Sequence, residues 1–148
     1  METKIPPPIV TLVFGLSIYL SRGIFQVVEF NHSFYLGIIL LLLGFVILIS
    51  AVRLFRKDKT TVNPLSPEQA TTLVTDGIFK YSRNPMYLGM ALVLGSIAVF
   101  FNIIGGIILV ALFCAYITKF QIFPEERAMR DLFSDDFDKY TKVTRRWI

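Results

Sequence analysis

No residue from 86 to 118 carries a charge, and neither does any from 34 to 52, a run closed by Arg53, Arg56, Lys57 and Lys59. A helix needs about 20 apolar residues to cross a bilayer. Backbone in hydrocarbon has to satisfy its own hydrogen bonds, so runs of this kind fold as helices. Residues 34–52 make one crossing. The longer run exceeds what one crossing uses and has to turn back near its middle, where Asn102 and Gly105-Gly106 supply turn-forming residues. The expected third span is about 86–101 and the fourth about 104–123.

A first span is expected over about 9–30, interrupted by Arg22 and Glu29. These two lie seven apart and share a face, pointing into the bundle or, the preferred reading, snorkelling to an interface. Pro6, Pro7 and Pro8 precede the span and no small-residue cleavage site follows it, so it reads as a retained helix. A hydrophobic fraction of 54% with mean hydropathy +0.61 is too apolar for an ordinary soluble domain of 148 residues. The charged residues fall in two blocks, 53–83 and 119–146, beside the apolar runs. There the net charge of +4 suits anionic head groups and topology, not nucleic acid, since no basic stripe interleaved with aromatics is present. Lys and Arg cluster at Lys4, in 53–83 and in the tail, whereas the connections near 31–33 and 102–106 have none. Both termini are therefore expected in the cytoplasm. Cys114, the single cysteine, lies in an apolar run and is read as a packing residue with no disulfide or metal role. The expected fold is an all-α integral membrane protein: one domain, 1–148, of about four transmembrane helices, a cytoplasmic loop 53–85 and a C-terminal amphipathic cytoplasmic helical tail 124–148.

Chemistry concentrates in the loop and the tail. The loop holds turn signals at Asn63-Pro64-Leu65-Ser66-Pro67-Glu68 and Thr75-Asp76-Gly77. It ends in Arg83-Asn84-Pro85, where Asn84 suits an N-cap and Pro85 a first helical position. The N–H groups of such a helix start, with an arginine beside them, favour an anionic ligand. A plainer reading makes Arg83 a topology charge and Asn-Pro a cap. In the tail, Pro124-Glu125-Glu126 opens a helix whose first turn welcomes acids for dipole reasons alone. The same acids at the mouth of a bundle can bind hydroxyl or ammonium groups. Met129, Leu132, Phe133, Phe137 and Tyr140 recur at three and four, the mark of one amphipathic helix or two along the membrane surface. Arg145-Arg146-Trp147-Ile148 has the composition of an interfacial anchor.

As a set, Gly77-Ile78-Phe79-Lys80-Tyr81-Ser82-Arg83-Asn84-Pro85-Met86-Tyr87-Leu88-Gly89, then Glu125-Glu126, Leu132-Phe133, Tyr140 and Arg145-Arg146-Trp147, resemble the isoprenylcysteine carboxyl methyltransferase family. The resemblance runs from about residue 64 to the C-terminus. The Asn-Pro-Met-Tyr-x-Gly wording is also similar to the phosphatidylethanolamine N-methyltransferases. Both resemblances imply S-adenosylmethionine as methyl donor and a multi-pass membrane enzyme, here of the prokaryotic inner membrane with a cytoplasmic active site. They imply a cofactor site of Gly77, Tyr81, Arg83, Asn84, Pro85, Tyr87, Gly89, Glu125 and Glu126, with Gly89 allowing close approach and Tyr87 or Tyr81 offering a ring face to the sulfonium. They imply Glu126, Arg145 and Arg146 as catalytic and no metal. The tail departs from the family pattern at Ser134, where Gly is usual, at Phe137 for Tyr and at Thr144 for Pro. Asn84 replaces a histidine and removes a possible base, leaving His32 as the sole histidine, expected on the opposite face.

The acceptor stays open between chemistries. A carboxylate is already ionised and needs orientation, for which Arg145 or Arg146 serves; an ammonium first loses a proton, for which Glu126 serves. Isoprenylcysteine-type O-methylation is the first expectation, with phospholipid amine N-methylation or methylation of a small thiol or acid as alternatives. In each case a lipophilic acceptor enters from among the membrane lipids. The rival class is a non-enzymatic membrane scaffold. A transporter fits less well, since the acid within a span, Glu29, lies at its periphery.

Overall fold

The computed structural model describes residues 5–24, 32–58 and 70–148. Glu29, Lys4, Lys59 and the turn signal at 63–68 lie outside the described residues, as does the end of the expected first span. Among the described residues the chain is helical and has no strand. In order come α1 (Pro7–Leu20), a short 3-10 turn (Ser21–Gly23), α2 (Ser33–Lys57), a second such turn (Gly77–Lys80), α3 (Pro85–Phe101), α4 (Ile103–Ile117), a π-helical turn (Thr118–Ile122) and α5 (Phe123–Val143). Two helical stretches are long and apolar enough to cross a membrane: α2, and the continuous run from Ile103 through α5. The apolar helix α3 is shorter.

α3 is the central element, with α1, α2 and α4 packed against it. Small residues set the closest approach, to α2. Gly37, Gly44 and Ala51 are buried at intervals of seven along α2, and Gly89 and Ser96 follow the same interval on α3. A Cβ on Gly44 would stand 2.9 Å from the Gly89 carbonyl oxygen, and one on Gly89 would stand 2.8 Å from the Gly44 carbonyl oxygen. Backbones this close gain contact where apolar burial gives no preference for protein over lipid. Above the crossing, Ser96 donates to the Gly37 carbonyl at 2.8 Å. On the other side of α3, Val10, Ile18, Leu94, Ala98, Phe113 and Ile117 form the core of the bundle.

The hairpin between α3 and α4 is tighter than the sequence suggests. Asn102 alone makes the turn, in an extended conformation. Its side-chain oxygen accepts from Gly105 N at 3.1 Å, and its amide donates to the Ser21 carbonyl and hydroxyl at 3.1 and 3.0 Å. Gly105 and Gly106 are helical, and packing requires a small residue at Gly106, where a Cβ would fall 2.2 Å from that of Ala98.

Helix α4 does not end where the polar residues begin. Pro124 has no N–H to offer the Phe120 carbonyl, and the widened π turn ends just before it, carrying the chain into α5. α5 breaks at Ser134, whose φ of 39 and ψ of −114 are non-helical. The break sends Phe137 and Tyr140 back onto Ala51, Val74 and Phe79, with Met129 and Phe133 against the same cluster. The apolar positions of the tail are thus spent largely on the protein's own interior.

Candidate active site

The site assembles at the end of the bundle where α1, α3 and α5 begin and α2 ends. The residues just before α3 are held by α5 and by the C-terminal strap that follows it, residues 144–148. Arg83 N donates to the Arg145 carbonyl at 3.0 Å, and the Asn84 side-chain amide donates to the Arg146 carbonyl at 2.9 Å. The Tyr140 hydroxyl donates to the Phe79 carbonyl at 2.6 Å, and Trp147 Nε1 donates to Thr118 Oγ1 at 3.2 Å. Trp147, whose composition suggests an interfacial anchor, packs against the bundle core. Asn84 occupies the N-cap position, but its side chain is committed to the strap and makes no cap. The N-terminus of α3 therefore presents its dipole end without a side-chain acceptor.

Beside that end lies a cavity of about 240 Å³. Its apolar wall includes Pro7 and Pro8 of α1, Phe55 of α2 and Met90 of α3; Met129, Phe137 and Tyr140 of α5 close it. Its polar wall is Arg83, Asn84, Pro85 and Tyr87 facing Glu125 and Glu126.

The two adjacent glutamates differ sharply in environment. Glu126 Oε1 accepts from Arg83 at 2.8 Å and from Arg146 Nε at 2.9 Å, and its Oε2 accepts from Arg146 at 2.8 Å. Burial pushes its carboxyl up, but the bonds and charges of Arg146 and Arg83 outweigh burial and hold it below the usual range. Arg146 is raised in turn, chiefly by its bond to Glu126. Glu125 has no cation bonded to it among the described residues; it accepts a short hydrogen bond from the Tyr87 hydroxyl. Burial pushes Glu125 up to about 7, with the Tyr87 bond working against the rise and the Glu126 charge adding to it.

Arg83 is less free than a ligand clamp. One terminal nitrogen donates to the carbonyls of Thr141 and Thr144 at 3.2 and 2.6 Å, and the other goes to Glu126. Its Nε is buried with no protein partner.

Of the residues singled out in the sequence, Arg83, Asn84, Pro85, Tyr87, Glu125 and Glu126 come together on the cavity. Arg146 stands behind Glu126. The other four lie elsewhere. Gly77 takes a φ of +57 and packs on Leu54; Tyr81 is 74% exposed; Gly89 faces α2; and Arg145 is exposed, meeting Arg83 through its backbone alone. Gly89 does allow a close approach, but to another helix. Pro7, Pro8 and Phe55 had no sequence signal tying them to a site, because they reach it from helices distant in the chain. Phe137 and Tyr140 were legible as apolar positions and as part of the tail pattern, but not as a wall of the cavity.

A family model described as phospholipid methyltransferase matches residues 32–136. No curated protein and no solved structure matches the chain. The matched stretch holds α2, α3, α4, both glutamates and the Arg83-Asn84-Pro85 entry, and it omits α1 and the strap. Spanning well over half of the chain and both polar walls of the cavity, it shows that this protein belongs to the phospholipid methyltransferase family.

Proposed function

We propose that the protein is an S-adenosylmethionine-dependent methyltransferase of the membrane, acting on a lipophilic acceptor at the end of the bundle where the cavity lies. The observation that carries this reading is the cavity's division into an apolar wall and a polar wall made by the uncapped start of α3 and two glutamates. The residues fit the methionine and ribose parts of the cofactor. The start of α3 and the orphaned Arg83 Nε suit a carboxylate. Glu125 suits an ammonium or hydroxyl, and the Tyr87 ring offers a cation a π face. When bound, the cofactor supplies an electrophilic methyl group on sulfur. The chain supplies orientation, which is worth much of the barrier in a displacement of this kind.

The reading includes four spans, α1 to α4, with both termini and the cavity in the cytoplasm. Arg53, Arg56 and Lys57 at the cavity end of α2 and the charged α5 support that orientation by the positive-inside rule. α1 and α2 both pack on α3, and the cavity wall runs from Pro7 and Pro8 to Phe55 between them, which suits an acceptor arriving sideways from the bilayer. Isoprenylcysteine-type O-methylation and phospholipid amine N-methylation both fit this frame.

The test is calorimetric titration of the purified protein, in detergent and in lipid, with S-adenosylmethionine and S-adenosylhomocysteine. Saturable binding by wild type that disappears in Glu125→Ala/Glu126→Ala is expected. Absence of binding by folded wild type in lipid overturns the reading in favour of a scaffold.

A further inference from the structure

We propose that Glu125, bonded by Tyr87 on the cavity wall, is the group that takes up the acceptor's proton, while Glu126 is a positioning residue locked between Arg83 and Arg146. The inference rests on the methyltransferase reading and moves to Glu125 the proton uptake that the sequence suggests for Glu126.

Geometry makes the division. Glu126 accepts three hydrogen bonds from two guanidiniums, and through Arg146 and Arg83 it ties α5 to the strap and to the entry of α3. A carboxylate held this way stays ionised and has little basicity to offer. Glu125 faces the cavity with a phenol as its partner. Among the described residues lining the cavity, the titratable groups are Arg83, Tyr87, Glu125, Glu126 and Tyr140. α1 and α2 contribute Pro7, Pro8 and Phe55, which carry no charge. The titration of Glu125 near neutrality agrees with this arrangement, since a base works best near the ambient pH.

As a carboxylate, Glu125 accepts a proton from an ammonium or a thiol. The lone pair so released forms the new bond to the methyl carbon while that carbon's bond to sulfur breaks, its electron pair staying on sulfur. Glu125 is left protonated and returns the proton to water. A carboxylate acceptor has no proton to give, and it would bring a further negative charge beside Glu125 and Glu126. The arrangement therefore selects an apolar-chain acceptor whose nucleophilic atom carries a proton.

The full chain in lipid nanodiscs provides the test. Infrared titration without ligand should show a carboxyl band that disappears as pH rises through about 7, absent from Glu125→Gln and present in Glu126→Gln. Its midpoint should rise in Tyr87→Phe, because the Tyr87 bond lowers it. With dodecylamine or decanethiol as acceptor and S-adenosylmethionine at saturation, Glu125→Gln should lower kcat by ~10²-fold or more. The proposal is overturned by a band that persists in Glu125→Gln, by an unchanged kcat in that variant, or by a wild type that methylates decanoate and neither of the other two. If wild type binds no S-adenosylhomocysteine, the methyltransferase reading falls and takes the proposal with it. Binding with an unchanged Glu125→Gln rate overturns the proposal alone.

Discussion

Ser134 sits where φ is +39 and ψ is −114, a backbone region that favours glycine. A residue with a Cβ held there costs of order 1–3 kcal/mol. Replacing it by glycine removes that strain but restores freedom to the unfolded chain, at about 0.5–1 kcal/mol. The side chain is exposed, so losing its hydroxyl changes little else. Ser134→Gly is therefore expected to stabilise the protein by about 1 kcal/mol, a rise in Tm of about 2–4 °C for a chain of this size. Ser134→Ala keeps the Cβ and should show no such gain. The assay is thermal unfolding in detergent, followed by tryptophan emission, since Trp147 packs on the bundle core and reports the strap. A Ser134→Gly variant no more stable than Ser134→Ala would refute the reasoning. The break would then be held without strain.

Three further outcomes follow from the packing and the charges. Gly106→Ala should lower Tm by the equivalent of about 1–3 kcal/mol of overpacking, because the new methyl falls 2.2 Å from the Ala98 Cβ and both helices are backed by core. Thr144→Pro should destabilise by about 1–3 kcal/mol in the same assay: it removes the N–H that Thr144 gives the Tyr140 carbonyl at 3.0 Å, and the φ of −122 does not suit proline. The two glutamates should shape stability against pH in opposite ways. Glu126 is lowered when folded, so its contribution is present above about pH 4.5 and lost as pH falls through its folded value; Glu126→Gln should flatten the acid limb of a circular-dichroism titration. Glu125 is raised when folded, so its contribution is present below about 4.5 and lost as pH rises through about 7; Glu125→Gln should remove that decline.

Particular residues show which parts of this fold were readable from the chain and which were not. Uncharged runs alone located α2, α3 and α4 to within a few residues, because hydrocarbon forces any backbone in it to close its own hydrogen bonds. Asn84-Pro85 fixed the start of α3, since proline fits the first turn of a helix and little else in one. The family resemblance, not local pattern, marked Arg83, Tyr87, Glu125 and Glu126 as a set. The residues alone could not show that Gly89 and Gly106 pack against a neighbouring helix, because a glycine needed for helix contact and one needed for a turn or a ligand look alike until that helix is placed. The sequence points to Glu126 for proton uptake and cannot show how the environments of the two glutamates differ. Their difference depends on Arg146, reached only when the strap folds back, and on Tyr87, reached only when α3 stands beside α5. Short-range physics acts on neighbours in sequence and so determined the helices from the chain by itself. Charge and burial act on neighbours in space, so only the tertiary structure decided which carboxyl is locked and which stands open to the cavity.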